Sequence, residues 1–381
     1  MRVFQETINF VREVYKTTSF IPLHEPTFKG NERNYVLDAI DSTFVSSVGE
    51  YVDRFECMMS SFTKTRKAVA VVNGTSGIQV ALKLLGVKTG DEVLTQSLTF
   101  VATANAIAYN GARPVFLDVD LDTMGLSPIA LENFLSEFGQ MRGIHCFNKK
   151  TGNRIAACLP MHTFGFPMRI DKVVEICKQW GIPVIEDAAE SLGSSLYDKA
   201  TGSFGDIGVF SFNGNKIITS GGGGALVTND VGLAQRAKYI TTTAKKPHQY
   251  EYFHNELGFN FRMPNINAAL ACAQLERIDL FLTKKRQLAE TYLNFFDSHS
   301  LNFRTGISGT KVNFWLMCLE LKNREERDEF LNETNSAGVM TRPIWELMFR
   351  LPMYQDCLRD DQKNAIYLAD RIVNIPSSVK E

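Results

Sequence analysis

Short, mostly apolar runs recur along the first two thirds of the chain, at residues 68–72, 92–95, 114–117, 155–160, 182–186, 207–211 and 225–228. Runs of this length without polar alternation mark strands buried on both faces of a parallel sheet. Between them, apolar residues fall at helical spacing over 78–85, 100–109, 127–138, 170–180 and 231–243. Ser127-Pro128 opens one of these in the cap and first-turn positions. The alternation predicts an α/β fold: a mostly parallel, doubly wound sheet with helices on both faces. In such sheets ligands sit at the carboxyl ends of the strands, where Thr75, Asp187 and His162 fall.

The flanking segments follow other patterns. Residues 6–16, 31–44 and 51–63 read as helices, the last with Val52, Phe55, Met59 and Phe62 on one face. Residues 20–27 carry two prolines and read as a surface crossing. Residues 139–154 are polar and read as a surface hairpin or loop, and 216–219 as another strand-like piece. Residues 244–262 are irregular and rich in aromatics and histidine, which in a long loop points to function or an interface. A long helix is expected over 265–296, with a break near 281–283. Residues 312–321 and 339–342 read as strands, 325–337 and 363–373 as helices. The change of pattern near residue 300 predicts a smaller α+β domain. The expected division is a large domain over 1–245, the aromatic loop and connecting helix over 246–300, and a small domain over 301–381.

Composition narrows the function classes. A chain of 381 residues, 44% hydrophobic and of net charge −1, can bury a large core and a smaller one. The charge balance leaves no footprint for nucleic acid or an anionic membrane. Seven cysteines, odd in number and without a CxxC pair, indicate reduced thiols and neither a disulfide frame nor a zinc site. Six histidines without HxH or HxxxH spacing give no metal site. No run approaches a membrane span, and the charged start MRVFQETINFVREVYK does not read as a signal peptide. A cytoplasmic protein is expected.

The chemistry concentrates in VIEDAAESLG and GVFSFNGNKIITSGGGGALVT. Lys216 stands among apolar strand-like residues, where a lone ammonium is costly. Its charge is removed if it forms an imine, and Asp187, closing a buried strand, is the natural partner of a pyridinium nitrogen. Together they are the minimum of a pyridoxal 5'-phosphate (PLP) site. An isolated lysine is far more often solvated, and an isolated aspartate more often caps a turn. The neighbours favour the site: Ser211 at a strand end and Thr75-Ser76 at a helix start can hold phosphate, and Phe100 can stack on a flat ring. Glu190 is read as a contact to the ring hydroxyl, weighed against a solvated acid. His162 is a candidate for substrate binding, weighed against an ordinary core histidine.

The stretches NGTSGIQVALKLLGVKTGDEV, TFVATANAIAYNGARPVFLDVD, MHTFGFPMRID, PVIEDAAESLGS, SFNGNKIITSGGGGALVT and GFNFRMPNINAAL resemble, in order, the nucleotide-sugar aminotransferases of the DegT/DnrJ/EryC1/StrS family. The resemblance implies PLP-dependent transferase fold type I. It makes Lys216 the Schiff-base lysine, Asp187 the pyridinium partner, Thr75, Ser76 and Ser211 phosphate binders, and Phe100 the stacking ring. Glu190 departs from the His or Gln of many relatives. Asn260 matches a residue given to the phosphate of a neighbouring subunit, which implies a homodimer with shared active sites. FIPLHEP, DAIDSTFVSSVGEYVDRFE and TRPIWELMFRLPMY are similar to enzymes that aminate C4 of UDP-4-keto-6-deoxy-N-acetylglucosamine for surface glycans, although Phe349 replaces a common His. The expected substrates are L-glutamate and a UDP-linked 4-keto sugar. A GDP-4-keto-6-deoxymannose aminotransferase and a non-catalytic regulator are the alternatives. Arg262 or Arg342 is expected to hold a carboxylate or diphosphate, and His248 and Tyr250 to contact substrate from the partner subunit. Lys216 argues against the dehydratase branch, in which histidine replaces this lysine.

Overall fold

The computed structural model describes residues 2–380. Three helices come first, α1 (Arg2–Tyr15), α2 (Glu32–Asp41) and α3 (Glu50–Thr63). Strand and helix then alternate through β1 (Lys67–Val71), α4 (Gly74–Leu84), β2 (Glu92–Gln96), α5 (Val101–Tyr109), β3 (Arg113–Leu117) and α6 (Pro128–Phe138). The polar stretch that follows is a hairpin, β4 (Gly139–Arg142) and β5 (His145–Asn148). It leads into β6 (Arg154–Leu159), α7 (Ile170–Gln179) and β7 (Ile185–Asp187). Two minimal strands, β8 (Ser195–Leu196) and β9 (Lys199–Ala200), precede β10 (Ile207–Ser211), β11 (Gly224–Thr228) and α8 (Val231–Thr241).

The central sheet runs β3-β2-β6, continues to β7 through parallel bridges at Cys158–Val184 and Met161–Asp187, and goes on through β10 and β11 to β1. Pairings β2–β3, β2–β6 and β7–β10 are parallel; β11 alone runs against its neighbours β10 and β1. The apolar runs explain the placement, since every residue of β2, β7 and β11 is buried. Helices cover both faces, as α4 packs Ile78 and Val80 with Val71, Val209 and Leu226. On another side, α6 and α7 bring Leu131, Leu135, Val173 and Cys177 against Leu94, Val115 and Cys158.

Three expectations change. Residues 216–219 form an irregular turn, not a strand, because β10 already has β7 on one edge and β11 on the other. The long helix is two, α9 (Asn265–Leu275) and α10 (Ile278–Ser298), so the break lies at Glu276–Arg277 and Phe281 and Leu282 are buried helical residues. The final helix is shorter than its pattern. Further chain order is β12 (Asn302–Phe303), β13 (Thr310–Lys311), β14 (Met317–Glu320), α11 (Arg324–Ser336), β15 (Arg342–Pro343), α12 (Lys363–Ala369) and β16 (Ile372–Ile375). The β-branched Ile372, Val373 and Ile375 make an inner strand of the antiparallel sheet β12-β14-β16-β15. Helix α1 shares this core: Phe4, Ile8 and Val11 pack with Tyr292, Phe296, Leu319, Phe330 and Val373. The first helix therefore packs on the C-terminal sheet.

Candidate active site

Thr75, Phe100, Asp187, Glu190, Ser211 and Lys216 line one cavity of about 310 Å³ at the carboxyl ends of the strands. That is the lower end of the ~300–1,000 Å³ typical of small-molecule sites. One end is built for an anion. Helix α4 begins there, and the amides of a first helical turn have no intrahelical acceptor. Asn73 Oδ1 takes one of them, from Ser76 at 2.8 Å, and the Asn73 carbonyl accepts the first bond of the helix from Gly77 at 3.1 Å. The amides of Gly74 and Thr75 remain for a ligand, at the positive end of the helix dipole. A methyl group on Gly74 would lie 3.0 Å from Ser211 Cβ and 3.4 Å from its Oγ, so the Ser211 hydroxyl flanks this turn. The turn is held from below by β11. A Cβ on Gly224 would meet the Asn73 carbonyl carbon and oxygen at 2.7 and 2.8 Å and the Gly74 nitrogen at 2.9 Å.

The same cavity carries charged groups. Asp187 is buried, with Oδ2 accepting from Thr103 Oγ1 at 2.7 Å and Oδ1 from the Ala189 amide at 3.2 Å. Burial raises its carboxyl above the usual carboxylate range, against those two bonds and the Lys216 charge. A buried acid of this kind gains from a cationic ring nitrogen. Lys216 Nζ lies 3.1 Å from Glu190 Oε1 and 3.8 Å from the centroid of the Trp315 ring. The second Glu190 oxygen accepts the Phe164 amide at 2.8 Å. Burial pushes Glu190 up to about 7, with Lys216 opposing. Phe100, at the N-cap of α5, presents a half-exposed ring 6.2 Å from that of Trp345.

The remaining predicted residues lie elsewhere. Ser76 is buried in the first turn of α4, outside the cavity lining. His162 is fully buried, Nε2 meets Glu186 Oε2 at 3.0 Å, and Nδ1 accepts the Met168 amide at 3.3 Å. It is outside the cavity lining, next to the lining residue Met161. Asn260 and Arg262 run beside the end of β1, with Arg262 Nε and Nη2 donating to Asn260 Oδ1 at 3.1 and 2.9 Å. His248 and Tyr250 share an exposed turn, their rings 4.8 Å apart. Arg342 lies exposed on edge strand β15, donating to Asn335 Oδ1 and the Thr341 carbonyl. None of these five belongs to the lining within one chain.

Sequence reasoning missed Thr103, Trp315 and Trp345. Thr103 follows Phe100 by one helical turn, which places both on one helix face and was a usable signal. The two tryptophans arrive from the C-terminal body, and no local spacing links them to Lys216. Trp315 Nε1 donates to the Asn215 carbonyl at 2.7 Å, directly before the lysine. Among the described residues no cluster of three His, Cys, Asp or Glu is placed to hold a metal.

A lysine and a buried acid in one cavity, an anion-binding helix start and an aromatic wall, all at the strand ends of this sheet, define a PLP-dependent transferase of fold type I. The sequence profile of the DegT/DnrJ/EryC1/StrS aminotransferase family matches residues 26–380, and the chain belongs to that family. It is 37% identical over 339 residues to the putative pyridoxal phosphate-dependent aminotransferase EpsN of Bacillus subtilis, covering 89% of this chain and 84% of that one. It is 35% identical to the GDP-perosamine synthase of Escherichia coli O157:H7, covering 94% and 93%. The aminotransferase TlmJ from Streptoalloteichus hindustanus superposes with a TM-score of 0.85 at 26% identity, covering 94% of each chain. The protein is a PLP-dependent sugar aminotransferase.

Proposed function

We propose that this enzyme moves the amino group of L-glutamate onto C4 of a nucleotide-linked 4-keto-6-deoxy sugar. The observation that carries the reading is the shared cavity of Lys216 and Asp187, with Thr75 and Ser211 at its anion-binding end. When bound, PLP supplies an aldehyde that condenses with amines and a ring that withdraws electrons. The Asp187 carboxylate would hold the protonated ring nitrogen, and Thr75, Ser211 and the first-turn amides of α4 the phosphate. The Phe100 ring would face the flat ring. Lys216 Nζ takes a proton from the α-carbon of glutamate in one half of the cycle and delivers one to C4 of the sugar in the other. One base serving both halves gives ping-pong kinetics.

Two nucleotides fit this reading. The motifs that resemble UDP-4-keto-6-deoxy-N-acetylglucosamine aminotransferases support a UDP sugar. The likeness to a GDP-perosamine synthase over 94% of the chain supports GDP-4-keto-6-deoxymannose. Release of 2-oxoglutarate from L-glutamate with each keto sugar decides between them. Turnover with neither, by protein that holds PLP, would turn the reading toward a regulator. Lys216→Ala should lose the borohydride-reducible adduct.

A second copy of the chain completes the proposed site. The segment with His248, Tyr250, Asn260 and Arg262 lies outside its own cavity, and Tyr250, Tyr252 and Leu257 on it are exposed. In a homodimer this arm reaches the partner's phosphate and substrate. Light scattering reads the dimer. Mixing Lys216→Ala with Asn260→Ala chains should restore activity if sites are shared. The free cysteines of the structure suit a reducing compartment such as the cytoplasm.

A further inference from the structure

Glu190 has more structure built around it than a contact to a ring hydroxyl requires. Its Oε2 is fixed by the amide of Phe164, a non-glycine residue held at φ 54° and ψ 16°. That left-handed backbone is unfavourable for a bulky side chain and persists only where its surroundings impose it. The Glu190 carbonyl accepts from Asn313 Nδ2 at 2.8 Å, while Asn313 Oδ1 accepts the Trp315 amide at 2.8 Å. One buried asparagine thus sets both the acid and the indole that flank Lys216 Nζ. The amine sits between a carboxylate oxygen at 3.1 Å and a ring face at 3.8 Å, and the lysine side chain is 12% exposed. The indole stabilises the cation and keeps water from it. The titratable groups facing Glu190 are Lys216 on the turn after β10, Asp187 at the end of β7 and the Cys318 thiol of β14. Among the described titratable groups, Lys216 is the one that bonds its carboxylate.

We propose that Glu190 is the proton partner of Lys216, accepting at Oε1 the proton that the free ammonium must lose before it acts as a base. One N–H bond breaks, one O–H bond forms, and an ion pair becomes a neutral pair. The reverse transfer returns the proton to the amine, so no further reactant is needed. The low exposure of both groups weakens the ion pair against the neutral pair, which brings the exchange within reach while the ion pair stays the resting form. The catalytic part of this assignment rests on the aminotransferase reading above; the coupling of the two side chains does not.

The test separates the two. In PLP-free protein, acetic anhydride labelling of Lys216, read by peptide mass spectrometry at pH 8, reports how much amine is neutral. An ionised Glu190 holds the lysine protonated, so Glu190→Gln should label at least about tenfold faster than wild type. Labelling within twofold overturns the coupling, whatever the substrate. In the holoenzyme, the L-glutamate half-reaction followed by stopped-flow absorbance should quicken between pH 6 and 8 in wild type. It should lose that rise in Glu190→Gln, whereas a merely structural acid would leave the profile's shape intact. Persistence of the rise in Glu190→Gln overturns the proton transfer even if labelling changes. Should Glu190→Gln not fold, Glu190→Asp draws the acid back from the amine and should still speed labelling several-fold; an unchanged rate overturns the proposal.

Discussion

Thr103 Oγ1 donates a 2.7 Å hydrogen bond to Asp187 Oδ2, joining the first turn of α5 to the end of β7 across 84 residues of sequence. The bond aims the carboxylate and leaves Oδ1 to the Ala189 amide. Thr103→Val keeps the shape and removes the donor. Hydrogen bonds to charged groups contribute about 1.5–3 kcal/mol. PLP affinity should fall roughly tenfold or more, measured by absorbance titration of the PLP-free protein. Unchanged affinity would mean that Thr103 does not orient the acid.

The crossing of β11 under α4 gives a second prediction. Gly224→Ala places a methyl group within 2.9 Å of the Asn73 and Gly74 backbone, which has no flexible side chain to move aside. Overpacking of this kind costs about 1–3 kcal/mol. The first turn of α4 must shift, so both the melting temperature and PLP affinity should drop. A loss of stability with full affinity would show that the phosphate end tolerates the displacement.

His162 tests whether position at a strand end implies contact with substrate. Its partner Glu186 also accepts the amides of Gly202, Phe204 and Gly205. His162→Leu removes one bond from this buried carboxylate and should cost about 1–3 kcal/mol in denaturant unfolding. KM for glutamate and for the keto sugar should stay at the wild-type value. A rise in KM with unchanged stability would return the ring to the substrate.

Glu190 gives the PLP-free protein a pH signature. Its carboxyl lies at about 7 when folded, against an ordinary value of 4.5. Between these values the folded state keeps a proton that the unfolded chain releases, so stability declines as pH rises through the window. The penalty is complete above about pH 7 and is at most on the order of 3 kcal/mol. In the PLP-free state Glu190→Gln should therefore be more stable than wild type at pH 8 and level with it near pH 4.5. Parallel curves at both pH values would place the acid in a wetter setting.

The lysine, the acid and the phosphate end were legible because each sits in a few consecutive residues whose types make little sense otherwise. Lys216 among apolar neighbours and Asp187 closing a buried strand are examples. Thr103, Trp315 and Trp345 were not legible in that way, because only the fold brings them to the cavity. The same limit produced the errors of structure. Residues 216–219 have strand-forming side chains but no free sheet edge to join. Ile372–Ile375 is a strand because β14 and β15 flank it, a fact absent from its own four residues. His162 lies near the strand ends, and its bond to Glu186 could not be read from its own stretch of sequence.

Because one wall of the reaction chamber is the indole of Trp315, the chamber is complete only when residues far apart in sequence meet. The amine stands on the turn after β10, and the indole beside it packs in one core with Phe164, Phe210 and Phe212. Substitutions in that shared core can therefore retune chemistry that they never touch.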